Sequence, residues 1–288
     1  MTTDKPPANS SAPPVTIDAL LPADMARKAE EIGIKKANLD FLSTFALAVL
    51  AGAFIALGAI YATLAWTTAG TAMPYGVTRI LGGVAFSLGL ILVVVGGAEL
   101  FTGNNLIIMA WASRRLSTTK LLRNWVIVYF GNLVGAVATA LIVYLGQQFM
   151  FANGALGVTA LNIGMAKIKL GFVQAIMLGI LCNALVCLAV WLCYSARTTT
   201  DRILAIIYPI TAFVALGFEH CVANMYFIPL GIFLSGDPEL AQKSGTAALP
   251  DWSGFAHNLL PVTLGNLVGG ALMVAGVYWF IYLRAKDA

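Results

Sequence analysis

Charged residues are scarce in this chain, and their scarcity excludes most soluble folds. Only 10% of its 288 residues are charged, whereas 59% are apolar. A soluble domain has about 25% charged residues, because its surface must be hydrated. The composition therefore predicts an all-α protein that crosses a membrane several times. We expect no cleavable signal peptide, because residues 1–14 are polar and rich in proline and serine.

Motifs of enzymes and metal sites are also missing. Neither histidine belongs to an H-E-x-x-H motif, no serine occupies a G-x-S-x-G elbow, and no cysteine pair shows C-x-x-C spacing. The cysteines lie in apolar runs, where we expect them to pack as small hydrophobic side chains: Cys182, Cys187, Cys193 and Cys221. The sequence thus predicts no enzyme, no cofactor and no metal.

Long apolar runs occupy most of the chain. Four of them are free of charge and exceed the roughly 20 residues that a helix needs to cross the hydrocarbon core: residues 41–66, 124–149, 170–195 and 259–283. Two longer runs, 80–111 and 203–234, are interrupted by polar, glycine-bearing stretches. We therefore predict six spans in one domain at residues 39–284, the second and fifth of them broken.

The segments that flank this domain are polar. Residues 1–18 are predicted to be a disordered tail, residues 19–38 an amphipathic surface helix, and residues 285–288 a short tail. Lysine and arginine collect before the first span, after the second and fourth, and after the sixth. This distribution places both termini in the cytoplasm. Since the net charge of +4 follows from this topology, it does not indicate a nucleic-acid partner.

Lys167 and Lys169 depart from this distribution, because they precede the fourth span on the outward side. Two interpretations are open. Both lysines can extend their charged ends from the membrane edge into water, or one of them can attract an anion at the mouth of a pathway.

The two interrupted spans resemble each other. The first carries Glu99 and Thr102 beside Gly97, and the second carries Glu219 and His220 beside Gly217. A helix can break inside a membrane only where its backbone faces protein or a water-filled path. The free N–H groups of the restarting half-helix favour a negative solute. The breaks therefore predict a pathway for a small anion.

An internal repeat supports this interpretation. The motif Gly131-Asn132-Leu133-Val134-Gly135 returns as Gly265-Asn266-Leu267-Val268-Gly269, and the two breaks align. Three spans per copy make the repeat inverted, so that the breaks meet near the middle of the membrane. We expect Glu99 and Glu219 to be buried and hydrogen-bonded to backbone donors. Asn104 and Asn224 either support the breaks or cap the restarted helices.

Several longer stretches resemble the formate–nitrite transporter family over about residues 20–283. They are 73–76, 82–90, 97–102, 124–135, 178–183, 217–225 and 261–266. The resemblance implies an aquaporin-like protomer in a homopentamer of the bacterial inner membrane. It also implies passage of small monovalent anions and protons, chiefly formate, with nitrite, hydrosulfide, acetate and lactate as further candidates.

The resemblance also implies roles for individual residues. His220 would be the pore histidine, and the substrate pathway would include Thr102, Lys167 and Asn183. The outer constriction would be formed by Phe86, Leu90 and Phe213, and the inner one by Phe101 and Val186. As a hypothesis, His220 assists transient protonation of the anion, because an ion crosses an apolar ring at high cost whereas a neutral acid does not.

Alternatives differ in substrate or in mechanism. A nitrite or hydrosulfide channel of the same family shares these motifs. A proton-coupled formate transporter with alternating access is a second possibility, since inverted repeats build such proteins. An intramembrane enzyme has less support, because one histidine with two glutamates is weak evidence for catalysis. A neutral-solute aquaporin also has less support, because no pair of N-P-A boxes is present.

Overall fold

The fold is known from a computed structural model that describes residues 18–68, 73–245 and 249–284. These residues form helices and connecting turns, without a strand among them. The predicted N-terminal tail, apart from Asp18, and the C-terminal residues 285–288 lie outside the described residues. The first helix, α1, is Pro22–Ala37, inside the amphipathic segment predicted from the sequence.

Uninterrupted helices form three of the predicted spans. They are α2 (Phe41–Thr68), α5 (Thr118–Leu145) and α7 (Phe172–Ser195), and each is long and apolar enough to cross a bilayer. The last span is also continuous, as α11 (Trp252–Leu267), a π-helical segment (Val268–Gly276) and α12 (Val277–Tyr282). The chain is therefore a multi-pass membrane protein.

Two helices, separated by a short stretch without helical structure, occupy each of the second and fifth predicted spans. The helix α3 (Tyr75–Gly96) ends at Gly97, and the chain restarts as a 3-10 turn (Gly103–Ile107) and α4 (Ile108–Ala112). In the fifth span, α8 (Thr199–Ala215) is followed by α9 (Cys221–Leu234). Gly97 and Gly217 have φ angles of 82° and 73°. Only glycine adopts these left-handed angles without strain, so both breaks depend on it.

Two short helices were not predicted. The helix α6 (Ala155–Ile168) lies between the third and fourth spans, and α10 (Pro238–Ser244) lies between the fifth and sixth. The apolar α6 is too short to span a membrane, which explains why the length criterion placed it in a loop. It packs against α9, as α1 packs against the 3-10 turn and α4. Each half of the protein therefore has a short helix beside its break.

Close packing of the long helices brings the breaks together. The helix α2 packs against α3 and α5, and α7 packs against α8 and α11. Gly135 of α5 touches the backbone of α2, where an added Cβ would collide with the carbonyl oxygen of Val49. Gly269 makes the matching approach to the carbonyl of Ile180 on α7. Both halves therefore use glycine to place neighbouring helices in backbone contact.

The four cysteines are free and buried, as expected for packing side chains. Cys182, Cys193 and Cys221 belong to the largest apolar cluster, which runs through the centre of the bundle. Cys187 belongs to a second cluster, where α1 covers α7. The broken spans pass through this apolar interior.

Candidate functional site

Two cavities approach the breaks from opposite ends of the inverted repeat. The first, here the Lys36 cavity, has a volume of about 300 Å³ and is lined by α1, the end of α3 and the first break, including Lys36, Glu99 and Asn104. The second, the Lys167 cavity, has a volume of about 260 Å³ and is lined by α6 and the second break, including Lys167, Glu219 and His220. The two cavities share no lining residue.

An ion pair marks the first break. Lys36 Nζ lies 2.7 Å from Glu99 Oε1 and donates to Asn104 Oδ1 at 3.0 Å. Asn104 Nδ2 donates to Glu99 Oε2 at 2.7 Å and to Asn124 Oδ1 at 2.9 Å. The Glu99 side chain is only 6% exposed, so water does little to stabilise its charge. One lysine and one amide compensate the charge instead.

The second break repeats this arrangement. Lys167 Nζ lies 3.0 Å from Glu219 Oε1, and Asn224 Nδ2 donates to Glu219 Oε2 at 2.6 Å. Asn224 Nδ2 also donates to Asn258 Oδ1 at 2.7 Å. Lys169 is exposed and does not line this cavity. Lys167 is therefore the lysine that faces the predicted pathway.

Two asparagines from the repeated motif hold the broken backbone. Asn132 Nδ2 donates to the carbonyls of Ala48 and Glu99, and its Oδ1 accepts from Phe101 N at 2.9 Å. Asn266 makes the same three bonds to Gly179, Glu219 and Cys221. Since both side chains are fully buried, each replaces hydrogen bonds that the interrupted helix cannot make. The sequence motif thus marks anchors for the breaks.

His220 and Thr102 meet where the two breaks come together. His220 Nε2 lies 3.0 Å from Thr102 Oγ1, and both residues are buried. His220 is the N-cap of α9, because its Nδ1 accepts a hydrogen bond from Ala223 N at 3.0 Å. An Nδ1 that accepts a bond carries no proton, so the neutral ring has its proton on Nε2. The ring therefore presents an N–H donor towards Thr102.

Aromatic side chains separate the cavities. The rings of Phe86 and Phe213 meet edge to face, and Phe213 stacks on the ring of His220. Both phenylalanines line the Lys167 cavity, whereas Leu90 lines the Lys36 cavity. Phe86 and Leu90 are four residues apart on α3, about 6 Å along its axis, so neighbouring turns of one helix line the two cavities. The predicted constriction of Phe86, Leu90 and Phe213 stays a prediction.

The other predicted site residues are buried outside both cavity walls. Phe101 packs edge to face against Tyr129, and Val186 is 1% exposed. Asn183 Nδ2 lies within hydrogen-bonding distance of the Asn266 carbonyl, Asn105 Oδ1 and the Thr102 carbonyl. Asn183 therefore joins the first break to the last span. Its predicted contact with substrate stays a prediction.

Some of the predicted hydrogen-bond partners at the breaks were wrong. The carboxylates of Glu99 and Glu219 were expected to accept from backbone donors, but their partners are the side chains of a lysine and an asparagine. Asn224 does not cap α9, because His220 occupies the N-cap position. Asn104 likewise bonds to side chains at the first break. Local sequence does not show the lysine partners, because α1 and α6 supply them from a distance, whereas each asparagine lies five residues after its glutamate.

Lys36 is the main site residue that sequence reasoning missed. It was assigned to the charged face of the amphipathic helix, whereas the structure turns it towards the first break. A usable signal existed, because Lys36 and Lys167 each stand near the end of a helix that precedes a span. In the same cavity, burial and then the charges of Arg197 and Arg202 lower the pKa of Lys28. Lys28, Lys36 and Arg202 line the Lys36 cavity together with a single carboxylate, Glu99, so its lining carries a net positive charge.

Comparison with protein families and curated proteins agrees with this geometry. The family model described as "Formate/nitrite transporter" matches residues 23–280. The chain is 46% identical to "Formate channel FocA" of Escherichia coli (strain K12), over 94% of this chain and 97% of that protein. It is 43% identical to "Formate channel FocA" of Haemophilus influenzae, over 90% of this chain and 93% of that protein.

Solved structures give the same result for the fold. A structure titled "Pentameric formate channel with formate bound" superimposes with a TM-score of 0.77 at 45% identity, covering 85% of this chain and 98% of that chain. The aquaglyceroporin from Plasmodium falciparum superimposes with a TM-score of 0.53 at 14% identity, covering 84% and 100%. The second likeness concerns the fold alone, and it confirms the predicted aquaporin-like architecture.

Proposed function

The chain belongs to the formate/nitrite transporter family, and from this premise we propose that it is a passive, pH-dependent channel for formate and related small monovalent anions. We further propose that it works as a homopentamer in the bacterial inner membrane, with both termini in the cytoplasm. The relatives named as formate channels and the pentameric structure with formate bound support the substrate and the assembly.

The observation that carries the proposal is the contact between His220, which lines the Lys167 cavity, and Thr102, whose neighbour Gly103 lines the Lys36 cavity. A small anion is attracted into either cavity by positive charge. It then meets the apolar side chains of Phe86, Leu90 and Phe213. An ion at the centre of a bilayer costs about 2.5–3.5 kcal/mol even on lenient scales, so a weak acid crosses more easily as the neutral form.

His220 and Thr102 act at this barrier. The Nε2–H of His220 donates a hydrogen bond to the carboxylate oxygen, and the Thr102 hydroxyl supplies a second bond. Donation from the ring withdraws negative charge from the anion and lowers the cost of its entry. The proton that neutralises the acid is taken up from water in the entry cavity and is released to water in the opposite cavity, while the ring of His220 keeps its own proton. We propose the constriction residues Phe86, Leu90, Phe213, Phe101 and Val186 as the wall that excludes hydrated ions, with Asn183 orienting the substrate.

Flux into liposomes tests the proposal. Purified protein in proteoliposomes should pass formate faster than protein-free liposomes do. The rate should rise as the external pH falls, because a larger fraction of the formate is then protonated. A stopped-flow panel with formate, nitrite and hydrosulfide at several pH values ranks the substrates. Formate passage at the protein-free rate would refute the proposal, and nitrite or hydrosulfide passing far faster would reassign the substrate.

A countertransport experiment distinguishes a coupled transporter from a channel. A channel equilibrates the neutral acid and ends at the distribution that the pH difference dictates, whereas a secondary transporter shows alternating access. The inverted repeat fits both mechanisms. Countertransport separates the two mechanisms. Unlabelled formate trapped inside the liposomes should not accelerate the uptake of labelled formate through a channel, whereas strong acceleration would favour the transporter.

A further inference from the structure

The Lys167 cavity contains a second cation in addition to its lysine. Arg79 lies near the start of α3 and lines this cavity together with Lys167 and Glu219. Lys167 and Glu219 neutralise each other in an ion pair at 3.0 Å. Arg79 forms no ion pair with any residue that the structure describes. The uncompensated positive charge of the cavity is therefore that of Arg79.

The end of α8 fixes the Arg79 guanidinium in position. Nε donates to the carbonyl of Ala215 at 3.1 Å, and Nη2 donates to the carbonyl of Val214 at 2.7 Å. Because α8 ends at Ala215, that carbonyl has no donor from a following turn of the helix. A helix C-terminus carries about half a negative elementary charge. Arg79 masks this charge at the place where an anion would enter.

Trp66 supports the guanidinium from another direction. Arg79 Cζ lies 5.0 Å from the centroid of the Trp66 ring, which also lines the cavity. Gly82 leaves the space for this ring, since an added Cβ would collide with Trp66 Nε1. An aromatic face holds a cation without cancelling its charge, as a carboxylate would. The surroundings of Arg79 therefore fix its position, and the partial charge at the end of α8 leaves part of its positive charge uncompensated.

We propose that Arg79, held between the end of α8 and Trp66, recruits the anion into the Lys167 cavity and sets the concentration at which that mouth saturates. The proposal rests on the proposed function and refines it, because the capture role implied for Lys167 then belongs mainly to Arg79. Arg79 also acts as a positioning residue, since its bonds to Val214 and Ala215 fix the helix end beside Gly217 and the second break.

One-sided flux measurements test this assignment. Formate influx is measured from the Lys167 side and from the Lys36 side, in proteoliposomes of known insertion orientation, for wild type, Arg79→Gln, Arg79→Lys and Lys169→Gln. Lys169→Gln is the matched control, because it removes one charge from the same side at an exposed residue outside the cavity. The half-saturating formate concentration and the maximal rate are recorded at low salt and at about 1 M inert salt, where the Debye length is about 3 Å.

Recruitment by charge predicts a specific pattern. Arg79→Gln should raise the half-saturating concentration from the Lys167 side at least about threefold at low salt, with little change from the Lys36 side. The difference should largely vanish at high salt, and Arg79→Lys and Lys169→Gln should stay near wild type in this constant.

Other patterns overturn the inference. Wild-type half-saturation in Arg79→Gln contradicts recruitment, as does a shift equal to that of Lys169→Gln. If Arg79→Gln does not fold, Arg79→Lys decides, because a purely structural role predicts a salt-independent loss of maximal rate in this variant as well. Failure of the proposed function is a different result, since wild-type protein would then pass no formate above the protein-free rate.

Discussion

His220 combines two bonds that constrain its chemistry. Its Nδ1 caps α9 through Ala223 N, and its Nε2 faces Thr102. A second proton on the ring would occupy Nδ1 and remove the cap of a helix that lies inside the protein. The bonded arrangement therefore belongs to the neutral ring, and His220 is better suited to donate a hydrogen bond than to carry a lasting positive charge.

Two substitutions of His220 separate the cap from the chemistry. Asparagine is a good N-cap residue but does not titrate. His220→Asn should therefore keep nearly wild-type thermal stability while formate flux falls, because the amide replaces the cap but not the Nε2–H donor of the ring. His220→Ala should lose the same flux and, in addition, about 1 kcal/mol of stability. Wild-type formate flux in His220→Asn would exclude a role of the imidazole in permeation.

At the scale of single residues, the sequence predicted which residues belong to the site better than it predicted their contacts. His220 and Thr102 were named from the motifs of the two breaks, and the structure places them 3.0 Å apart. Leu90 was grouped with Phe86 by the family resemblance, and the two residues line different cavities. Their shared constriction stays a prediction, because a spacing of four residues gives a common helix face but not a depth in the membrane.

At the scale of helices, the repeat is larger than the sequence suggested. Lys36 and Lys167 are 131 positions apart, Glu99 and Glu219 are 120 apart, and Asn132 and Asn266 are 134 apart. The separation varies because the connecting loops differ in length between the halves. A search for a constant period therefore finds the breaks and the glycine motif separately and misses the equivalence of α1 and α6. Three-dimensional contacts restore it, because each helix delivers its lysine to a glutamate.

The two anchoring asparagines allow a test of this equivalence. Asn132→Ala and Asn266→Ala each remove three buried hydrogen bonds and leave a backbone N–H of the break unpaired. Each should cost about 2–4 kcal/mol, seen as earlier thermal unfolding of the purified protein and a much lower flux. Asn162→Ala, on the exposed face of α6, is the control and should unfold like wild type. Unchanged stability of either anchor variant would contradict the role given to it.

At the scale of the whole molecule, the scaffold is duplicated but the chemistry is not. With the spacing of the breaks, His220 corresponds to Leu100 and Thr102 corresponds to Val222. Each half thus supplies one polar group, and the pair forms only where the halves meet. A similar meeting occurs between Tyr129 and Thr263, which occupy equivalent positions in α5 and α11 and are hydrogen-bonded at 3.0 Å. The inverted repeat predicted where such a site would lie, and only the assembled fold shows that its members are in contact.

The matching glycines predict equal sensitivity of the two halves. Gly135→Ala and Gly269→Ala each place a Cβ against a backbone carbonyl of the neighbouring span, of Val49 or Ile180. Forced separation of the helices should cost about 1–3 kcal/mol in each case, measured as a lower midpoint of thermal unfolding in detergent. Gly171→Ala is the control, because nothing lies within 4 Å of its added Cβ. A large effect in one half alone would show that the halves do not pack alike.

The likeness of the two lysine–glutamate mouths has a consequence for physiology. In the passive channel proposed here, an entrance built twice gives the protein no intrinsic one-way character. Net movement through such a channel follows whichever reservoir is fuller, and it reverses when the reservoirs do. A cell that first excretes an acid and later consumes it could use one and the same protein in both phases of growth.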